Sequence, residues 1–165
     1  MSRGSTPTPE RARPRIAGPL RIWGPACALL VCACDPGVPM EHRPDDVLRS
    51  ELQLGDEDEV HRITLRADER ERPEPSEVVV PPGAWVEFVT DDWRVHEVHF
   101  DPDGLATEAA AFLAASDQMA SPPLVDSGAR FVVSFEGAPP GRSPFRSEGN
   151  GEPAHGAVVV AEPVR

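Results

Sequence analysis

Short runs of alternating apolar and polar residues dominate the chain from residue 60 onward. Val60 to Arg66 is a weakly patterned first strand, and the runs Glu77 to Val80 and Ala84 to Thr90 flank a Pro-Pro-Gly turn. β-Branched and aromatic residues bounded by Gly and Pro are typical of strands joined by tight turns. The same pattern predicts further strands over residues 96–100 and 130–135, around Phe145, and over residues 157–160.

One stretch favours a helix. Thr107 to Ser116 is rich in Ala, with Leu and Glu, and has the highest helix propensity in the chain. Ala67 to Ser76, a run of Arg and Glu with two prolines, is predicted to be a loop. Seven or eight short strands with one inserted helix predict an all-β fold, a β-sandwich with Greek-key connections. An immunoglobulin-like sandwich is the structural alternative.

Side-chain alternation assigns the two histidines of the 96–100 strand to opposite faces. His96 shares a face with Val98 and Phe100, whereas His99 lies on the other face. We therefore expect His96 to face the core and His99 to face water. The same alternation predicts a core that includes Val80, Val86, Phe88, Val98, Phe100, Phe131, Val133, Phe135, Phe145 and Val159.

Residues 1–33 have the form of an export signal. A polar, Arg-rich segment precedes an apolar run from Ile22 to Ala33, which is short for a membrane-spanning helix. The run ends in Val-Cys-Ala-Cys, which resembles the bacterial lipobox and makes Cys34 the predicted lipid-bearing residue. Plain secretion after an Ala-x-Ala-like cut is the alternative. We expect a protein of the bacterial cell envelope, either lipid-anchored through Cys34 or periplasmic.

The segment after the signal, residues 34–59, is acidic and contains several prolines. Its weak hydrophobic periodicity predicts a disordered tether that precedes a folded domain over residues 60–165. All three cysteines lie at or before residue 34, so the folded domain contains no thiol and no internal disulfide.

The formal net charge is −12, and removal of the first 33 residues would take it to −16. An acidic surface of this size argues against nucleic acid and anionic lipid as partners.

The last loop resembles that of the cupredoxins, the plastocyanin- and azurin-like blue-copper proteins. In that family the loop between the last two strands supplies a Cys, a His three residues later and a Met about four residues further on. Ser147 stands at the Cys position, Asn150 at the His position and Ala154 at the Met position, two residues before Gly156. The spacing of these positions is similar to that in a cupredoxin loop, but the three ligand residues themselves are missing.

The order of the preceding segments is also similar to that of cupredoxins. A Val-x-Phe strand is followed by an Asp-rich loop that leads to His96, the counterpart of the first His ligand. The helix, the 130–135 strand and a Pro-Gly turn then lead to the final loop. The resemblance spans Val78 to Val160 and implies a cupredoxin-like sandwich with its ligand site at the end that carries His96.

A blue-copper centre needs a thiolate beside its imidazoles, and the domain has no Cys. We therefore predict no cofactor and a non-enzymatic binding or accessory domain, with an unidentified protein or small molecule as partner. The alternative is a rebuilt copper or zinc site formed by His96 and His155 with Glu148 or Glu152. A periplasmic enzyme is the third hypothesis, although neither Ser143 nor Ser147 lies in a nucleophile elbow.

The glycines of the final loop have a predicted structural role. Gly149, Asn150 and Gly151 are expected to adopt positive φ in a tight turn. Trp85 and Trp93 are expected to pack at the core and its rim.

Overall fold

A computed structural model describes residues 37–163, which form eight strands, two α-helices and a short 3₁₀ turn at Met40–His42. The helices are α1 (Asp46–Leu52) and α2 (Thr107–Ala115). The strands are β1 (Val60–Ala67), β2 (Glu71–Glu74), β3 (Glu77–Val80), β4 (Trp85–Thr90), β5 (His96–Phe100), β6 (Arg130–Ser134), β7 (Gly141–Gly149) and β8 (Ala154–Val160).

The strands form two four-stranded sheets, with the orders β2-β1-β4-β6 and β3-β8-β7-β5. We call them sheet 1 and sheet 2. Each sheet contains one parallel pair, β1 with β4 and β3 with β8, and its other pairs are antiparallel. With α2 inserted between β5 and β6, this arrangement confirms the predicted all-β sandwich with one helix between strands.

The core lies between the sheets, and eight of the ten predicted core residues are buried in it. Phe131 is only partly buried but packs against the core. The prediction for Val159 is wrong: Val159 is only partly buried, whereas its neighbours Val158 and Val160 are buried. Because the end of β8 is a continuous apolar run, the sequence could not show which alternate residues face inward.

Three phenylalanines form the centre of this core. Phe88 of sheet 1 meets Phe145 of sheet 2 edge-to-face, with ring centroids 5.0 Å apart, and Phe100 lies 6.4 Å from both rings. Aromatic pairs at such distances contribute about 0.5–1.5 kcal/mol each beyond the burial of their area. The two sheets are therefore joined through aromatic contacts next to the strand that carries His96.

Helix α1 lies where the sequence analysis expected a disordered tether. Asp45 caps its N-terminus by accepting hydrogen bonds from the backbone N–H groups of Val47 and Leu48, both at 3.1 Å. Leu48 and Leu54 are buried with Val60 in a second apolar cluster, against which Trp85 and Val132 pack. A helix of seven residues is marginal on its own, so this tertiary packing explains why sequence periodicity did not reveal it.

An ion network joins α1 to sheet 1. Glu87, fully buried, pairs with Arg130 at 2.6 Å and with Arg62 at 2.7 Å, and Arg130 reaches the helix-capping carboxylate of Asp45 at 2.8 Å. Burial acts to raise the pKa of Asp45, but the hydrogen bonds from Leu48 and Val47 and the guanidinium of Arg130 together hold it below its ordinary value. Asp45 therefore links the helix cap to the sheet.

Strand β2 lies within the predicted loop Ala67 to Ser76. It pairs antiparallel with the end of β1, from Thr64 opposite Glu74 to Ala67 opposite Glu71. Its sequence, Glu-Arg-Pro-Glu, lacks the apolar alternation that identifies a strand. Its inward positions are nevertheless buried, and one of them is the charged residue Glu71.

Across residues 37–163, neither helix has the length and hydrophobicity that crossing a bilayer requires.

Replacing Asp45 with Ala tests the docking of α1. We expect a loss of about 1–2 kcal/mol in the free energy of unfolding, because the variant loses an N-cap and the partner of Arg130. Urea denaturation followed by circular dichroism measures this loss. Asp46→Ala is the control, since Asp46 is exposed. Equal stability of the two variants would contradict the docked helix.

Candidate functional site

His96 opens β5 and its side chain is fully buried between the sheets. The predicted inward orientation is confirmed, and so is the outward orientation of His99, whose side chain is one-third exposed. His96 lies at the end of the sandwich where β7 enters the final loop, because it stands opposite Gly149 in the β5–β7 register. This end, which we call the His96 pole, is where the sequence resemblance predicted a ligand site.

A buried carboxylate occupies the centre of the His96 pole. Glu71 extends inward from β2 with no exposed side-chain surface, and its Oε2 lies 2.7 Å from Nδ1 of His96. The same oxygen accepts a hydrogen bond of 3.3 Å from the hydroxyl of Ser147, which is also fully buried. Glu71 thus joins the two side chains, His96 and Ser147, that the sequence resemblance aligns with the first His and the Cys of a cupredoxin site.

A second carboxylate meets the other face of the imidazole. Oδ1 of Asp92, in the loop before β5, lies 2.9 Å from Nε2 of His96. A carboxylate oxygen thus lies within hydrogen-bonding distance of each ring nitrogen of His96. The pole is therefore a hydrogen-bonded triad of Glu71, His96 and Asp92, with the Ser147 hydroxyl as a fourth member.

The loop also stabilises the ionised form of Asp92. Burial acts to raise its pKa, but hydrogen bonds from His96 and from the backbone N–H groups of Ala67 and Arg94 outweigh burial and hold the pKa below its ordinary value. This contribution to stability is present above the ordinary pKa of Asp, about 3.9, and is lost as the pH falls through the lowered pKa.

Backbone pairing holds Glu71 in place. The N–H of Glu71 donates to the carbonyl of Glu152 at 2.8 Å, and the N–H of Glu152 donates to the carbonyl of Glu69 at 2.9 Å. The guanidinium of Arg70 lies 3.0 Å from the Glu152 carboxylate. Strand β2 is thus attached to the final loop on one side and to β1 on the other.

The loop glycines permit this close approach. A Cβ on Gly149 would lie 1.9 Å from the carbonyl oxygen of Val95, and a Cβ on Gly151 would lie 3.0 Å from the backbone of Arg70 and Glu71. The expected positive φ is wrong for this loop, since neither these glycines nor Asn150 adopt it. Glycine is required here by the packing of backbone against backbone.

The other predicted ligand positions do not converge on His96. Asn150 is exposed, and Ala154 is half-buried opposite Ser147. His155 is exposed and stands opposite Arg146 in the β7–β8 register, on the outer face of sheet 2. The postulated His96–His155 pair is therefore divided by the sheet.

The two loop carboxylates proposed as further ligands also have other partners. Glu148 lies on the outer face, where its Oε1 is 3.2 Å from Nε2 of His99, and Glu152 pairs with Arg70. Glu97, directly opposite Glu148, lies 3.2 Å from the same His99 nitrogen. Arg146 also contacts Glu148, at 3.0 Å. These residues form an outer-face cluster apart from the pole.

The tryptophans differ in environment. Trp85 packs against the apolar cluster under α1, as expected of a core or rim residue. Trp93 is 79% exposed and lies in the loop that supplies Asp92. A large apolar side chain thus projects into solvent from the loop that forms one wall of the pole.

The donors of the pole do not fit a type 1 copper ion. Such an ion binds a thiolate and two imidazoles, whereas the pole has one imidazole, a hydroxyl and two carboxylates. Oε2 of Glu71 also lies within hydrogen-bonding distance of both His96 and Ser147, in the space that a shared metal ion would need.

No protein-family model and no curated protein matches the chain. Several solved cupredoxin structures resemble it. Plastocyanin from Dryopteris crassirhizoma is 21% identical, with 61% of this chain and 99% of that chain covered and a TM-score of 0.44. The purple cupredoxin from Nitrosopumilus maritimus is 20% identical over 61% and 98% of the two chains, with a TM-score of 0.41. A reduced amicyanin variant is 20% identical over 66% and 87%, also with a TM-score of 0.41. The likeness assigns no ligand or function to this chain.

Replacing Glu71 with Ala tests the triad. We expect the free energy of unfolding to fall by about 3 kcal/mol, since the buried His96 imidazole and Ser147 hydroxyl both lose their hydrogen-bond partner. Urea denaturation measures the loss, and ¹⁵N NMR of the His96 ring should show a shifted Nδ1 signal. Glu69→Ala is the control, because Glu69 is exposed on the same segment. An imidazole spectrum unchanged by Glu71→Ala would refute the triad.

Proposed function

We propose that the chain is an exported, cupredoxin-like domain that has lost type 1 copper and acts as a non-catalytic binding or accessory module of the bacterial envelope. The observation that carries this proposal is the position of the Glu71 carboxylate. Its Oε2 is shared by His96 and Ser147, which the sequence resemblance aligns with the first His and the Cys of the copper site. A buried hydrogen-bonded triad in place of a metal centre is consistent with a structural role for this pole.

The carboxylate beside His96 weighs against copper in addition to the missing ligands. A copper ion attracts the lone pair of an imidazole nitrogen, whereas a carboxylate attracts its N–H. Nδ1 of His96 lies 2.7 Å from a carboxylate oxygen. It can therefore satisfy Glu71 or bind a metal ion, but not both. This competition weighs against copper at the pole independently of the missing Cys.

The alternative metal site of His96 and His155 receives less support. The two residues lie on opposite faces of sheet 2, and both ring nitrogens of His96 already meet carboxylates. The binding role remains the better-supported proposal. Trp93 offers an exposed aromatic contact to a protein or small-molecule partner beside the pole.

Rebuilding the ligand set tests the loss of copper. We expect the triple variant S147C, N150H and A154M to remain colourless with Cu(II) while Glu71 is present, because the carboxylate holds His96. Adding Glu71→Ala should give the intense visible absorption of a copper–thiolate bond. Visible spectroscopy after Cu(II) addition measures the difference, with circular dichroism to verify folding.

Two controls separate removal of the carboxylate from gain of a thiolate and locate any Cu(II) that the wild type binds. Glu71→Ala alone should stay colourless, since it supplies space but no thiolate. Stoichiometric Cu(II) uptake by the wild type that disappears in His96→Ala, but not in His42→Ala, would overturn the proposal and support a metal site at the pole.

Envelope anchoring is proposed on the sequence of the signal region, which lies outside the described residues. We expect Cys34→Ala to move the protein from the membrane to the soluble fraction, because a lipid on Cys34 would be its anchor. Cell fractionation with immunoblotting measures this, with Cys32→Ala as the matched control. A wild-type protein already soluble, with its N-terminus elsewhere than Cys34, would contradict the lipoprotein assignment.

A further inference from the structure

Two histidines and a glutamate converge where the segment before β1 meets the sandwich. Oε1 of Glu59 lies 2.7 Å from Nε2 of His61 and 3.3 Å from Nδ1 of His42. The two imidazole rings have centroids 4.1 Å apart and an interplanar angle of 42°. All three donor atoms lie within 4.8 Å of one another. We call this group the His42 cluster.

The fold places this cluster far from the His96 pole. His61 stands at the start of β1 beside Val86, whereas Glu71 pairs with Ala67 at the end of β1. Six residues of extended strand separate these positions, a distance of about 20 Å. The cluster therefore shares no ligand with the pole and falls outside the stretch, Val78 to Val160, that resembles a cupredoxin.

We propose that His42, Glu59 and His61 bind a divalent transition-metal ion, with Zn²⁺ as the class of ligand that fits best. Two imidazole nitrogens and one carboxylate oxygen are a donor set that Zn²⁺ accepts, leaving a fourth position for water or another ligand. Tetrahedral bonds of about 2.0–2.1 Å place neighbouring donors about 3.3 Å apart. The Glu59–His42 separation already has this value, and the Glu59–His61 pair needs only a small opening.

The first argument is an unpaired buried atom. Nδ1 of His42 is buried, yet among the described residues no group forms a hydrogen bond with it. Oε1 of Glu59 lies 3.3 Å away, close enough for an electrostatic contact, without forming a hydrogen bond to this nitrogen. A buried polar atom without a partner is costly. A metal ion held between the three side chains would satisfy this atom and the shared carboxylate together.

The arrangement of the donors also favours one shared ion. The two imidazole rings lie side by side, with centroids 4.1 Å apart, and Nε2 of His61 and Nδ1 of His42 both face Oε1 of Glu59. The three donor atoms therefore already surround one common space.

The outer-face cluster of Glu97, His99 and Glu148 is the obvious competitor. It offers only one imidazole, and Arg146 occupies both carboxylate oxygens of Glu148, at 3.0 and 3.2 Å. A metal ion there would have to displace a guanidinium. The His42 cluster contains no such competing cation within its donor set.

Metal binding at this position would have a structural consequence. His42 belongs to the turn before α1, whereas His61 belongs to β1, so one ion would cross-link the N-terminal segment to sheet 1. The link would act beside the Asp45–Arg130 contact, which holds the same segment at another point. We therefore expect Zn²⁺ to stabilise the docked form of residues 40–59.

Isothermal titration of the metal-free full chain with ZnCl₂ at pH 7.5 tests the proposal. We expect one Zn²⁺ per chain and a rise in the melting temperature on binding. His42→Ala and Glu59→Gln should each weaken binding at least tenfold and reduce the thermal shift. His42 is the informative position because it is one-third exposed, so its removal should leave the fold intact by circular dichroism.

His99→Ala and His155→Ala are the matched controls, and both should bind Zn²⁺ like the wild type. Binding that survives His42→Ala and is lost in His99→Ala would assign the ion to the outer-face cluster and overturn the proposal. Absence of any Zn²⁺ uptake by the folded wild type would overturn it as well. Loss of binding in His96→Ala alone would instead indicate the pole, which distinguishes this inference from the proposed loss of copper.

Discussion

The Glu71 carboxylate is the constraint on which the end of this sandwich depends. A polar group without solvent contact must be hydrogen-bonded, and Glu71 meets His96 and the hydroxyl of Ser147. It belongs to sheet 1 through β2, while both partners belong to sheet 2. At this end of the sandwich, one side chain therefore links the two sheets. The close packing of Gly149 and Gly151 follows, because the final loop must approach the backbones of Val95 and β2 for the contact to form.

The network around Glu87 shows that ionic contacts supplement the core beside α1. Glu87 is as fully buried as Glu71, and it is neutralised by two arginines under α1 instead of by a histidine. Buried ion pairs contribute little net stability, but losing one partner is costly. They therefore favour one arrangement of α1 and β2 over competing ones, which short and weakly apolar segments could not enforce alone.

Most strands could be predicted from the sequence, because alternation with a period of two depends only on local spacing. The same rule gave the inward orientation of His96 and the outward orientation of His99. It failed for Val159, since an unbroken apolar run has no polar residues to mark its outer face. It could not identify Glu71, because a strand of Glu-Arg-Pro-Glu shows no apolar pattern. The inward orientation of Glu71 is explained only by its contact with His96, which is distant in sequence. Helix α1 was missed for a related reason, as Leu48 and Leu54 are buried by residues distant in sequence.

A carboxylate and a metal ion make opposite demands on Nδ1 of His96. A metal ion needs an unprotonated imidazole nitrogen, whereas a hydrogen bond donated to Glu71 needs a protonated one. Substituting ligands one at a time cannot convert one state into the other, because each intermediate keeps the carboxylate beside Nδ1. Conversion requires removal of Glu71 together with gain of a thiolate.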